Sequence, residues 1–180
     1  MNPSENRESS ARLGPISGDE FESYVGNQGH RLNKEAILND PRTILLVEDE
    51  IFVRQVASEV LRAAGYRVLS AQNAAEAAQI YAEAEGDVDL LLTDLILPGE
   101  TGRALGKRLR LADPLLPVLL ATGYGDQMNC GAGEECLAKP FASEDLLGKV
   151  RRLIEKSPRP TISRRLAPAY GLQNLRWNVI

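Results

Sequence analysis

The chain has 180 residues, and its 25 Asp and Glu outweigh 21 Lys and Arg to give a formal net charge of −4. That length suits one domain of about 100–200 residues with tails, and the acidic balance argues against a dedicated nucleic-acid binder, for which a pI above about 9 is the signal. Cys130 and Cys136 are too few for a disulfide scaffold or a complete zinc site, and the lone His30 excludes chemistry that needs two imidazoles from this chain. No apolar run approaches the ~20 residues that span a bilayer. The polar start, Met1-Asn2-Pro3-Ser4-Glu5, lacks the apolar core of a signal peptide, so a cytoplasmic setting is expected.

Residues 1–41 carry a net −3 and few large apolar side chains. Such a segment cannot bury enough surface to offset its ordering entropy, so it reads as a disordered or weakly ordered arm, with Phe21, Tyr24 and Val25 able to form a short docking turn. Residues 42–156, net −5, read as a folded domain. Thr43 to Val47 is a first strand ending in acids. Val53, Val56, Ala57, Val60, Leu61 and Ala64 then recur at helical spacing, and Gly65 stops that helix. Arg67 to Ala71 is a second strand. Asn73 with Glu76 resembles a capping box, opening a helix marked by Ala77, Ile80, Tyr81 and Ala84 and closed by Gly86.

Val88 to Asp94 is a third strand, and Pro98-Gly99 turns the chain. A further helix carries Leu105, Leu109 and Ala112 and stops at Asp113-Pro114. Pro117 to Thr122 and Cys136 to Ala138 are the fourth and fifth strands. Ser143 is expected to cap a last helix with Leu146, Leu147, Val150, Leu153 and Ile154 facing inward. Residues 157–180 hold no acid and four arginines, and their prolines interrupt helix, so they read as a basic tail. Strands alternating with helices imply right-handed βαβ units, and the apolar strands imply a parallel sheet covered on both faces.

In such sheets, sites form beyond the carboxyl ends of the strands. The polar residues there are Glu48 and Asp49 after the first strand, Asp94 after the third, Thr122 after the fourth and Lys139 after the fifth. Two like charges 4 Å apart at an effective dielectric of about 20 cost roughly 4 kcal/mol, so three clustered carboxylates call for a cation. Mg²⁺ takes hard oxygen ligands and bridges readily to phosphate. Lys139 could pair a carboxylate or a phosphoryl oxygen, and Thr122 could donate to a phosphoryl group. The set suits phosphoryl transfer to a carboxylate.

The pieces Leu46-Val47-Glu48-Asp49-Glu50, Asp94-Leu95-Ile96-Leu97-Pro98-Gly99, Ala121-Thr122-Gly123-Tyr124 and Lys139-Pro140-Phe141 resemble the receiver domain of response regulators, over residues 43 to 156. The resemblance implies a doubly wound five-stranded parallel sheet of order 2-1-3-4-5 with five helices. It makes Asp94 the phosphoacceptor, with Glu48, Asp49, Asp94 and the backbone carbonyl of Ile96 around Mg²⁺. Asp49 would bind the metal directly and Glu48 through water. It places Thr122 and Lys139 on the phosphoryl group and a cis bond between Lys139 and Pro140. It also implies a phosphoryl donor, a histidine kinase or a histidine phosphotransfer protein, and a downstream protein effector. No activity as an enzyme is expected beyond the chain's own aspartyl phosphorylation and dephosphorylation.

Two departures stand out. Cys136 occupies the place where receivers carry a switch aromatic, and only 17 positions separate Thr122 from Lys139. The fourth helix, between the fourth and fifth strands, is therefore expected to be short, irregular or missing, leaving four full helices. The Ala-Thr-Gly-Tyr stretch resembles receivers of hybrid kinases and of a group of single-domain regulators. The 24 residues after Lys156 are too few for a DNA-binding domain, so a stand-alone regulator without direct DNA or membrane binding is expected, monomeric or dimerising on phosphorylation. The alternative is a pseudo-receiver that binds proteins without being phosphorylated.

The remaining features read plainly. Glu50 is a first-turn helix acid, Cys136 a buried small apolar residue, and His30 and the Arg164–Arg165 pair solvated residues. Gly102 to Lys107 mimics a phosphate-binding loop, but only three residues separate its glycines and Arg108 stands where Ser or Thr is required. Asp87-Val88-Asp89 begins the third strand and so belongs to the opposite edge of the sheet.

Overall fold

Five runs rich in Leu, Val and Ile, each too short for a helix, pair into one parallel sheet. A computed structural model describes residues 41–85, 87–123 and 134–157. The strands are β1 (Thr43–Val47), β2 (Arg67–Ala71), β3 (Leu90–Asp94), β4 (Val118–Thr122) and β5 (Glu135–Ala138), in the order β2-β1-β3-β4-β5. The helices among the described residues are α1 (Ile51–Ala63), α2 (Ala74–Glu83), α3 (Gly102–Ala112) and α4 (Ser143–Lys156). The doubly wound sheet and its order are those expected. The helix expected to be short or missing between β4 and β5 falls on residues 124–133, which lie outside the described residues, as do nearly all of the arm and the tail, with His30, Arg164 and Arg165.

Alternation along each strand divides the core in two. Leu45, Val47, Leu91 and Leu120 point to one face, where Ala77 and Tyr81 of α2 and Leu105 and Leu109 of α3 cover them. Ile44, Leu46, Leu90, Leu92 and Leu119 point to the other, under Ala57 and Leu61 of α1 and Leu146 and Val150 of α4. Fully burying one such side chain contributes about 1.5–3 kcal/mol. The Tyr81 hydroxyl donates to the buried Asp113 carboxylate at 3.2 Å, which ties α2 to the end of α3.

Several local expectations are corrected. β3 begins at Leu90 rather than Val88, because the Asp89 carboxylate turns back to accept from the Thr43 N–H at 2.7 Å and from Arg42 at 2.9 Å. That places Asp89 at the strands' N-terminal edge, away from the site. β4 begins at Val118, since Pro117 has no N–H to give the ladder and offers only its carbonyl to Leu91. β5 starts one residue early, at Glu135. α4 takes Ala142 as its N-cap with no side-chain bond, so Ser143 is its first residue and not its cap.

Glu50 is the N-cap residue of α1 and not a first-turn acid. Val56 is exposed, although its spacing matched the apolar face. α2 ends at Glu83, before Gly86, and Glu85 supplies a positive φ of 49° there. The Asn73 cap is as expected, accepting from the Glu76 N–H at 2.9 Å, but the Glu76 carboxylate reaches the N–H of Gln72. Gly65 and Gly99 adopt φ of 91° and 84°, the left-handed region that glycine enters without steric cost.

Candidate functional site

The site is built where β1, β3, β4 and β5 end together. The register aligns Leu46 with Leu92, Asp94 with Ala121, and Thr122 with Ala138. The strands therefore deliver Glu48, Asp94, Thr122 and Lys139 to one edge. Glu48, Asp49 and Asp94 each bring a carboxylate oxygen within 4.8 Å of the others. Glu48 is buried and Asp49 exposed, so the cluster runs from the interior to the surface.

Lys139 bridges two of the acids, donating to Glu48 at 2.6 Å and to Asp94 at 2.5 Å. Asp94 also accepts the Ile96 N–H at 3.0 Å. The Lys139 N–H bonds the Thr122 carbonyl at 2.6 Å, and the Lys139–Pro140 peptide is cis. Thr122 is 1% exposed, and its hydroxyl has no hydrogen-bond partner among the described residues. A buried hydroxyl without a partner loses the full worth of its hydration, so an incoming oxygen acceptor would be favoured there.

Charge sets the electrostatics. Three carboxylates against one ammonium leave the cluster at −2. Burial raises the Glu48 carboxyl above its ordinary value of 4.5; hydrogen bonding and attraction from Lys139 only partly oppose this, and the Asp94 charge adds to it. Burial alone would lower the Lys139 ammonium, but its bonds to Asp94 and Glu48 outweigh that and hold it above 10.5. The oxygen-only donor set and the −2 charge match what a hard divalent cation takes, so the residues fit Mg²⁺.

The raised Glu48 value has a sign. Folding favours its protonated form, so its contribution to stability is present at low pH and fades as pH rises through the folded-state value. Ionised Glu48 therefore weakens the metal-free fold at neutral pH. Glu48→Gln is expected to stabilise the metal-free protein at pH 7.5, seen as a higher Tm. The gain should shrink as pH falls towards 4.5, which thermal melts in chelator across that range would show.

Residues 44–151 match the family model described as the response regulator receiver domain. The chain belongs to the response regulator receiver family. The receiver is 31% identical over 137 residues to the sensor kinase CckA of Brucella abortus, a match covering 73% of this chain and 14% of that protein. It is 33% identical to the C4-dicarboxylate transport transcriptional regulatory protein DctD of Rhizobium meliloti, covering 63% of this chain and 25% of that one. The chain thus spans a minor part of these curated relatives.

Among solved structures, the receiver of the hybrid histidine kinase CckA is 38% identical with a TM-score of 0.55, over 62% of this chain and 98% of that one. A receiver from Clostridium thermocellum is 28% identical with a TM-score of 0.60, over 64% of this chain and 95% of that one. Receiver domains bind Mg²⁺ at an acidic pocket, and Glu48, Asp49 and Asp94 form such a cluster in this one. No helix among the described residues is long and apolar enough to cross a membrane.

Three parts of this receiver escaped the sequence reading. Gly102, set aside as part of a false phosphate loop, is buried in the first turn of α3 against the backbone of Asp94. Arg54 bonds the carbonyls of Glu48 and Asp49; the signal was a cation one turn into a helix, where the dipole disfavours it. Cys136 packs partly buried against the core and is disulfide-bonded, where a plain apolar residue was expected. The chain's other cysteine, Cys130, lies outside the described residues.

Proposed function

We propose that this receiver takes a phosphoryl group onto Asp94 from a phosphohistidine on a histidine kinase or phosphotransfer protein, in a Mg²⁺-dependent step, and that the acyl phosphate alters its contacts with a downstream protein. The observation that carries the reading is the single edge at which three carboxylates, the Lys139 ammonium and a Thr122 hydroxyl without a partner among the described residues converge. In the step, an Asp94 carboxylate oxygen attacks phosphorus and a P–O bond forms as the P–N bond breaks; its electron pair stays on the donor nitrogen, and because the other ring nitrogen already carries a proton, the imidazole departs neutral. Bound Mg²⁺ supplies neutralisation of the charge that builds on the phosphoryl oxygens.

The chain's own residues do the rest. Glu48, Asp49 and Asp94, with the Ile96 carbonyl, would hold the cation. The Ile96 N–H and Lys139 orient the Asp94 carboxylate. Lys139 can pass from Asp94 to a phosphoryl oxygen, and Thr122 can donate its hydroxyl to another. Both belong to the ends of β4 and β5, so the modification would be felt on that side of the sheet. None of the described residues of the receiver is a histidine, so the phosphohistidine donor lies outside the described domain.

Beryllofluoride, a mimic of a carboxylate-bound phosphoryl group, tests this without covalent chemistry. With Mg²⁺ present, fluorine NMR should show bound beryllofluoride, and the amide resonances of Thr122 and Lys139 should shift. Chelation of Mg²⁺ or the substitution Asp94→Asn should abolish both signals. Binding that persists in Asp94→Asn would refute the assignment.

A further inference from the structure

We propose that Arg54 is a positioning residue that holds the Glu48–Asp49 acid pair in its metal-receiving geometry; the inference rests on the reading of the acidic cluster given above. Arg54 lies one turn into α1, partly buried, and its own N–H bonds the Glu50 carbonyl at 2.9 Å. Its guanidinium turns back towards the strand. Nη1 donates to the Glu48 carbonyl, and to the Asp49 carbonyl at 3.2 Å. One side chain thereby fastens two consecutive carbonyls of the loop that carries both acids.

The other fixings of that loop lie on the Glu48 side, where the carboxylate is held by Lys139 at 2.6 Å and by a backbone hydrogen bond from Glu50. The Glu48 N–H bonds the Ala71 carbonyl at 3.1 Å, which secures the strand side. The Glu50 side chain forms no cap bond, and α1 has no acid in its first turn. Holding the Glu48 and Asp49 carbonyls fixes the planes of the peptides that follow each acid. The direction in which the Asp49 carboxylate leaves the backbone is set with them, and that of Glu48 jointly with its bond to Lys139.

The charge of Arg54 opposes what the site needs. A cation near a helix N-terminus is unfavourable, and a cation beside a Mg²⁺ site repels the metal. If Arg54 assists metal binding, it does so through geometry. That gives the proposal a sign which separates it from a purely electrostatic role.

The test is Mg²⁺ binding by the full chain without any phosphoryl donor, followed through the amide resonances of Glu48, Asp49, Glu50 and Asp94. Partners that orient metal ligands from outside the coordination shell are typically worth 10–100-fold in affinity, so Arg54→Met and Arg54→Gln should weaken Mg²⁺ binding by about tenfold or more. Arg54→Lys, which keeps donors within reach, should recover most of that loss. In metal-free protein, hydrogen exchange at the Asp49 and Glu50 amides should quicken in the Met and Gln variants, with α4 unaffected. Equal or tighter Mg²⁺ binding in both neutral variants would overturn the proposal, since removal of charge alone predicts tightening. A lowered Tm with unchanged affinity would reduce Arg54 to a structural role and overturn it as well. If the unsubstituted chain gives no Mg²⁺-dependent shift, the reading of the acidic cluster fails and the proposal with it.

Discussion

Gly102→Ala should cost about 3 kcal/mol of stability, the upper end of what overpacking a tight core site usually costs. A Cβ at Gly102 would stand 2.0 Å from the Asp94 carbonyl oxygen, and 2.7 Å and 2.8 Å from Oγ1 and Cγ2 of Thr93. The nearest of these is backbone, which cannot rotate aside as a long side chain can. Gly102 is also buried, and its N–H bonds the Leu95 carbonyl at 3.1 Å. Either α3 must lift, loosening Leu105 and Leu109, or the end of β3 must move.

The second outcome displaces Asp94 itself, so Mg²⁺ binding should suffer beyond the loss of stability. Gly148→Ala is the matched control. It lies inside α4 with nothing within 4 Å of the added carbon. Removing a helix-interior glycine there should stabilise by up to about 1 kcal/mol. Urea unfolding of both variants measures the contrast; a Gly102→Ala protein within about 0.5 kcal/mol of the unsubstituted chain would contradict the packing described.

Lys139→Met should destabilise the metal-free protein by about 2–3 kcal/mol, less than the 3–5 typical of a fully buried pair because the site is partly open. The substitution leaves the Glu48 and Asp94 carboxylates without the ammonium that bridges them. The loss should lessen as Mg²⁺ is added, because the cation supplies the missing charge. It should also lessen as pH falls through the raised Glu48 value, where one carboxylate becomes neutral. The Lys139 value is raised, so its own contribution is present throughout the neutral range and is lost only above 10.5. Melts in chelator and in Mg²⁺ at two pH values would check each part. A variant as stable as the unsubstituted chain in chelator would show that Lys139 does not offset the acids.

The sheet and the cluster were legible because both follow from the order of residues along the chain. Apolar runs ending in Glu48, Asp94, Thr122 and Lys139 needed only the parallel arrangement to bring those ends together. What was not legible depends on contacts between distant residues or on the direction of a side chain. β3 stops short of Val88 because the Asp89 carboxylate takes the Thr43 N–H and Arg42, more than forty positions earlier, while the Asp89 N–H keeps its bond to the Thr43 carbonyl. Val56 has helical spacing but lies on the solvent side of α1. Gly102 matters only because α3 begins against the Asp94 carbonyl, a distance that no local pattern encodes. Arg54 could have been flagged, since a basic residue after two acids at a helix start runs against the dipole, yet its two carbonyl contacts are visible only in three dimensions.

The covalent fate of Asp94 decides whether it is the phosphoacceptor. The full chain, incubated with Mg²⁺ and a small phosphoramidate donor, would be trapped with hydroxylamine or borohydride and its peptides mapped by mass spectrometry. Mg²⁺-dependent modification is expected at Asp94, absent from the chelated protein and from Asp94→Asn. Modification at another residue, or labelling undiminished in Asp94→Asn, would contradict it.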